Sequence, residues 1–354
     1  MSVFIIAEAG VNHNGDMDMA FALVDAAIDA GADGVKFQTF KAEDVVAADA
    51  PKADYQTRAT GSGETQFDML KQLELSPDLH RTLKDNCEKK GIAFLSSPFD
   101  TKGISFLADN LGLEVLKIPS GEITNGPLLL QAGISGCEII LSTGMCTLDE
   151  IEQALGVLAF GMTGDSSPSS DAFQNALASE AGKAALKEKV TLLHCTTEYP
   201  APFEDANLSA MHTMRGAFGL RVGLSDHTPG IAVPIAAAAL GATVIEKHFT
   251  LDRTLPGPDH KASLEPDELT AMIEGIRSIE KALGNGIKSP QPSEQQNRAV
   301  IRKSLITLKP VKTGETFTEQ NLGARRPGGG RSPMDYWDRL GKTAERDFGE
   351  SEQV

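Results

Sequence analysis

The chain has 354 residues, 41% apolar and 23% charged, a composition that excludes disordered and collagen-like classes and suits a folded globular protein. Its formal net charge of −16 argues against general binding to nucleic acid or anionic membranes and favours small ligands. The deficit is uneven: residues 301–354 hold 10 basic and 8 acidic side chains, so the body carries −18 and must meet any anion with a few placed cations or a metal.

Cys87, Cys137, Cys146 and Cys195 form no C-x-x-C pair, and reduced thiols are expected. The start, MSVFIIAEAG, lacks the basic and long apolar regions of a secretory signal, and no stretch approaches the roughly 18 apolar residues of a membrane span. A cytoplasmic chain is the expectation.

Eight short β-rich runs follow in order: 3–10, 34–40, 92–98, 113–120, 137–144, 190–197, 221–228 and 243–250. Helical patterns come after them, for example over 18–31, 147–160, 230–242 and 263–284. Eight strand-helix units in 284 residues predict a closed (β/α)8 TIM barrel, of α/β class, rather than an open doubly wound sheet. No G-x-G-x-x-G or Walker pattern follows any run, which speaks against a dinucleotide or P-loop site.

Two segments exceed a compact repeat. Residues 41–68 follow the second run, so they belong at the barrel mouth as a lid or partner contact, with a plain surface loop as the alternative. Residues 161–189 follow a helix and belong to the opposite face, without assigned chemistry. The polar, proline-bearing stretch 285–298 reads as a linker, and 299–354 as a small β-rich domain too short to bury much core alone.

Barrel enzymes carry their chemistry at the C-terminal ends of the strands, and here those ends are polar. Period-two alternation turns Val35 and Phe37 outward and Lys36 and Gln38 inward; in the fourth run Leu116 and Ile118 face out and Lys117 faces in. Inward lysines imply an anionic ligand or carboxylate partners such as Glu8, Glu122 or Glu246. Ser97, Ser120 and Ser225 add hydroxyl donors, and Glu8, Glu122 and Asp259 add acids able to hold hydroxyls or move protons. His194, His227 and His248 end three successive runs and can converge on a divalent metal. Cys195 beside them reads as a small buried residue.

The strings AEAGVNHNG (7–15), VKFQTF (35–40), KIPSGE (117–122), LSTGM (141–145), HCTTEYP (194–200), LSDHT (224–228), EKHFT (246–250), GPDHKAS (257–263) and RRPGGGRSPMDYW (325–337) together resemble the sialic acid synthase family. The resemblance spans nearly the whole chain. It implies a barrel followed by an antifreeze-like β-clip domain, assembled as a domain-swapped homodimer, and a reaction in which phosphoenolpyruvate condenses with an N-acetylmannosamine-type aldehyde to give N-acetylneuraminate and phosphate. It further implies that His227 and His248 hold the metal, typically Mn with Mg or Co as alternatives, leaving His194 a supporting role. Lys36, Ser97, Lys117, Ser120, Thr197 and Ser225 are implied to seat the phosphate and carboxylate. Glu8, Glu122, Tyr199 and Asp259 are implied to engage the sugar and proton transfers, and Arg326 to reach the N-acetyl group from the partner subunit. Thr197, Ser97 and Arg331 stand where other members carry Asn, Thr and an apolar residue.

The same condensation on a 2,4-diacetamido-2,4,6-trideoxyhexose, giving legionaminate or pseudaminate, is the alternative within this chemistry. A metal-dependent barrel hydrolase and a non-catalytic carbohydrate-binding barrel are the readings outside it.

Overall fold

The computed structural model describes residues 2–61, 63–164 and 167–354; Ser62, within the expected mouth segment, and Asp165 and Ser166, within 161–189, lie outside the described residues. The chain divides into two compact units, 1–284 and 285–354.

The first unit holds eight strands: β1 Phe4–Gly10, β2 Gly34–Thr39, β3 Ala93–Pro98, β4 Val115–Ile118, β5 Glu138–Ser142, β6 Val190–Cys195, β7 Arg221–Asp226 and β8 Val244–His248. Each lies inside one of the eight expected runs, shortened at one or both ends. Every ladder between them is parallel, and the spatial order is β3-β2-β1-β8-β7-β6-β5-β4. The first strand therefore pairs with the last, as a TIM-type barrel requires. Among the described residues β3 and β4 pack side by side without a ladder.

Two apolar layers sit on opposite faces of these strands. Ile5, Ala7, Val35, Phe37, Leu116, Ile118 and Ile245 face the helices and join the main core. Ile6, Leu95, Ile140, Leu193 and Val244 turn the other way and plug the barrel interior. Burying a side chain of this size stabilises by roughly 1.5–3 kcal/mol, so a one-residue slip of any strand, which exchanges the two faces, is heavily penalised. The residues above the plug are polar and make up the site.

Helices cap themselves by short-range chemistry. Asp16, Ser76 and Thr147 accept backbone N–H groups at the starts of Met17–Asp29, Pro77–Lys90 and Leu148–Thr163. Residues 41–68 form ordered helices, Ala42–Val45 and Asp54–Thr60, and lead into Gln66–Gln72, where Thr65 and Asp68 make a capping box. Residues 167–189 carry two more helices, Ser170–Ala178 and Glu180–Lys189, packed on Leu148–Thr163.

In the second unit β9 Ser304–Thr307 pairs antiparallel with β10 Leu322–Arg325 around a small core of Leu305, Val311, Phe317, Leu322, Ala344 and Phe348. The expected linker is partly helical: Gln295–Ile301 forms a helix whose carbonyl at Ala299 accepts from Gly328 N–H at 2.9 Å. The expected β-rich character is limited to this one ladder plus isolated bridges such as Val311 with Phe348.

Candidate active site

A cavity of about 340 Å³ opens above the apolar plug. Its floor is built by strand alternation: Glu8, Lys36, Ser97, Lys117, Ser142, Ser225, Glu246 and His248 all line it. Beyond the strands Ser120, Thr197, Tyr199, His227 and Asp259 complete the polar wall. An apolar wall of Phe40, Val45, Val46, Met69, Leu70, Leu73 and Phe99, most of which pack into one cluster, also lines the cavity, with Gln56 and Gln66. The 41–68 segment therefore lies at the mouth and shapes the cavity.

The two inward lysines are paired with carboxylates. Lys36 Nζ is 2.7 Å from Glu8 Oε2, 3.7 Å from Glu246 Oε2 and 3.0 Å from Ser97 Oγ. Lys117 Nζ is 3.3 Å from Glu246 Oε1, which also accepts from Ser225 Oγ at 2.8 Å. Burial opposes ionisation of Glu246, but Lys117 and Lys36 outweigh it and hold the carboxyl at about 2. Burial wins at Glu8, pushing its carboxyl up to about 7 despite Lys36. Burial also raises Asp259 to about 6. The network thus keeps one firmly ionised acid, Glu246, between two buried amines.

Backbone geometry opens the space. Gly10 has φ +53° at an irregularity in the β1–β2 ladder, and a Cβ there meets Glu8 Oε1 at 3.2 Å and His248 Cε1 at 3.4 Å. Gly144, just past β5, donates its N–H to Ser120 Oγ at 2.9 Å, and a Cβ on it lands 2.2 Å from Thr197 Oγ1. Thr197 Oγ1 and Ser142 Oγ, both at the cavity, are buried with no hydrogen-bond partner.

His227 and His248 meet with ring centroids 5.5 Å apart, and the Tyr199 ring lies 4.1 Å from His227 and 5.6 Å from His248. The carbonyl of Thr196 is 2.7 Å from His227 Nδ1; a carbonyl only accepts, so Nδ1 carries a proton, and although burial opposes the charge, Cys195 beside it and this carbonyl push the imidazole above its ordinary value. His248 Nδ1 is buried with no hydrogen-bond partner, 3.8 Å from Asp259 Oδ2. Burial, with His227 next to it, holds its imidazole well below the ordinary histidine value and therefore neutral. Two facing imidazoles, one of them with an unpartnered buried nitrogen at His248 Nδ1, fit a divalent metal completed by substrate or water oxygens, which would displace the proton His227 otherwise favours; among the described residues no three His, Cys, Asp or Glu side chains converge into a closed protein centre.

Other expected residues fall elsewhere. His194 Nε2 donates to Ala206 O at 2.8 Å and stays out of the cavity, which agrees with a supporting role. Glu122 sits on the 3-10 turn Ser120–Glu122 and accepts from Asn125 Nδ2 at 2.7 Å; Ser120 and Gly121 reach the cavity and Glu122 does not. The turn rotates its third residue away from the direction of the first, which strand alternation could not anticipate. Arg326 belongs to the second unit, where its Nε donates to Ile301 O at 2.9 Å. Sequence reasoning named Glu246 only as a partner for lysine and passed over Ser142, although its place at the end of β5 was a usable signal.

A parallel barrel whose C-terminal mouth gathers buried lysines, unpaired hydroxyls and two facing imidazoles defines an enzyme acting on an anionic small molecule. The NeuB family profile matches residues 23–288. The N,N'-diacetyllegionaminic acid synthase of Campylobacter jejuni is 49% identical over 350 residues, covering 99% of this chain and 98% of that protein. The enzyme of the same name from Legionella pneumophila is 44% identical over 95% of this chain and 88% of that one, and human N-acetylneuraminate-9-phosphate synthase is 32% identical over 96% and 88%. The crystal structure of N-acetylneuraminic acid synthetase from Leptospira borgpetersenii in complex with citrate aligns with TM-score 0.67 and 35% identity, over 84% of this chain and 90% of that one. The chain belongs to the NeuB family. It is an enzyme of the synthase class that condenses phosphoenolpyruvate with a sugar.

Proposed function

We propose that the acceptor is a 2,4-diacetamido-2,4,6-trideoxymannose and the product N,N'-diacetyllegionaminate, in place of the N-acetylmannosamine reading that the motifs alone put first. The apolar wall of Val45, Val46, Met69, Leu70 and Leu73 carries this choice. A 6-deoxy carbon and the methyl of a 4-acetamido group suit such a wall, whereas a C6 hydroxyl or phosphate set against it loses hydration without a partner. The two legionaminic acid synthases, at 49% and 44% identity against 32% for the human neuraminate-9-phosphate enzyme, support the same acceptor.

Lys36, Lys117 and the hydroxyls of Ser97, Ser120, Ser142, Thr197 and Ser225 bind the phosphate and carboxylate of phosphoenolpyruvate, whose charge balances the two ammonium groups. This fixes its C3 against the acceptor aldehyde in the roofed cavity, so orientation supplies much of the acceleration. His227 and His248 hold a divalent ion, Mn by expectation, which when bound supplies Lewis acidity toward the aldehyde. Asp259 and Glu8, both raised by burial, hold acceptor hydroxyls or a proton near neutral pH. C3 of phosphoenolpyruvate bonds to the aldehyde carbon, water adds at C2, and phosphate leaves.

The test is phosphate release from purified protein with Mn, phosphoenolpyruvate and a panel of acceptors. The 2,4-diacetamido-6-deoxy sugar is expected to exceed N-acetylmannosamine in kcat/KM by at least tenfold. Equal or inverted preference rules out the acceptor assignment, and no phosphate with any acceptor rules out the reaction.

A further inference from the structure

Behind the two imidazoles lies a second charged pair that does not touch the cavity. Asp226 and Lys247 immediately precede His227 and His248 in the chain. Alternation turns their side chains to the opposite face from Ser225, Glu246 and His248, and neither lines the cavity. Lys247 Nζ is 2.6 Å from Asp226 Oδ2 with side chains 1% and 2% exposed, and it also donates to Thr228 O. Asp226 Oδ1 accepts from Thr228 N at 3.1 Å and Thr228 Oγ1 at 2.9 Å. Every polar atom of this cluster is directed to the short segment 226–228, with His227 at its centre.

The ladder shows why that segment needs a tie. The β7–β8 register runs Leu224 with Ile245, Ser225 with Glu246, and ends at Asp226 with Lys247. His248 is still registered with Glu8 on β1. His227 lies one residue past β7 and has no strand partner; its carbonyl accepts from Ala201 N at 2.8 Å, in the loop after β6. Removing two charges from water is costly, and a buried ion pair is commonly no more stabilising than apolar residues of the same volume. Its function here is therefore positional, since it spans the last rung of the ladder and grips both sides of the unpaired histidine.

We propose that Asp226 and Lys247 form a positioning staple that sets His227 against His248 at metal-binding separation, through Thr228. The inference rests on the metal reading above. Neither residue touches substrate or metal; each acts through the backbone that carries His227. Loss of the staple leaves the barrel and the phosphoenolpyruvate contacts of Lys36 and Lys117 in place and loosens only the imidazole pair.

The experiment uses the full chain with both charges removed, Asp226→Asn with Lys247→Met, which keeps volume and a hydrogen-bond acceptor for Thr228. Mn binding is read by calorimetry, folding by thermal unfolding, and steady-state kinetics give kcat and the KM for phosphoenolpyruvate. The expected result is cooperative unfolding, Mn affinity weakened about 10- to 100-fold, as for other outer partners of metal ligands, and a fall in kcat with the KM within twofold of wild type. Wild-type Mn affinity in the variant overturns the staple, and so does an equal loss of phosphoenolpyruvate binding, which marks general distortion. Should the double variant not fold, Thr228→Val removes only the hydroxyl on Asp226, and it must weaken Mn by about threefold or the inference fails. A wild-type protein that binds no divalent ion overturns the metal reading, and the staple with it.

Discussion

Lys117 on β4 and Glu246 on β8 meet across the barrel interior, ammonium nitrogen to carboxylate oxygen at 3.3 Å, although the two strands are never neighbours in the sheet. Glu246 is also within 3.7 Å of Lys36, so one carboxylate serves two buried cations. Glu246→Gln leaves both without their ionised partner. Breaking a buried pair in this way costs about 3–5 kcal/mol, and the unfolding midpoint is expected to fall accordingly. Inorganic phosphate is expected to bind more tightly and to restore part of the lost stability, because it replaces the missing negative charge. A variant indifferent to phosphate would remove the lysines from the anion site.

The imidazole pair makes a sharper demand. Either His227→Ala or His248→Ala is expected to reduce Mn binding at least a hundredfold and abolish turnover, with thermal unfolding still cooperative. Full activity in either variant contradicts the ligand assignment. Chelation of the wild-type protein followed by graded return of Mn should restore activity in proportion to occupancy.

Gly144 tests the hydroxyl wall. A methyl there falls 2.2 Å from Thr197 Oγ1 and 2.9 Å from Ser120 Oγ, so both must move. Gly144→Ala is expected to raise the KM for phosphoenolpyruvate by about tenfold or more, equivalent to roughly 1.4 kcal/mol of lost binding. Its effect on Mn affinity should be small. Unchanged kinetics would show that Thr197 and Ser120 do not seat the substrate.

His13 links the fold to pH. It is buried, its Nδ1 accepts from Gly15 N–H at 2.9 Å, and burial with His80 and His260 nearby pulls its imidazole down to about 4 from 6.5. The folded state therefore resists a proton that the unfolded chain takes up below 6.5. The resulting stability is fully present above pH 6.5 and is lost as pH falls through 4, by about 3 kcal/mol in all. His13→Asn, which retains an acceptor for Gly15, is expected to flatten the slope of stability between pH 6.5 and 4 relative to wild type. Parallel pH profiles from urea titrations of the two proteins would refute the assignment.

The eight strands were legible because each run couples β-branched and apolar residues to flanking turn signals, and the same period-two pattern placed Lys36 and Lys117 indoors. The mouth helices were less so: 41–68 is polar, and only the Thr65–Asp68 capping pair marks a helix start within it. Glu122 shows the limit of reading strand ends. One residue beyond or within a turn reverses a side chain, and its direction then depends on local hydrogen bonds such as Asn125 to Glu122 rather than on periodicity.

Chain order and alternation were enough to settle the barrel class, the inward lysines and the polar character of the mouth, since each follows from contacts between residues near in sequence or from repeating geometry. Folding alone decided that Glu246 joins Lys36 to Lys117, that His227 and His248 face each other beside Tyr199, and that Val45, Val46, Met69, Leu70 and Leu73 line the same cavity. Those relationships connect strands that are distant in the chain and exist only when the β1–β8 pairing joins the first strands to the last, so no local pattern encodes them.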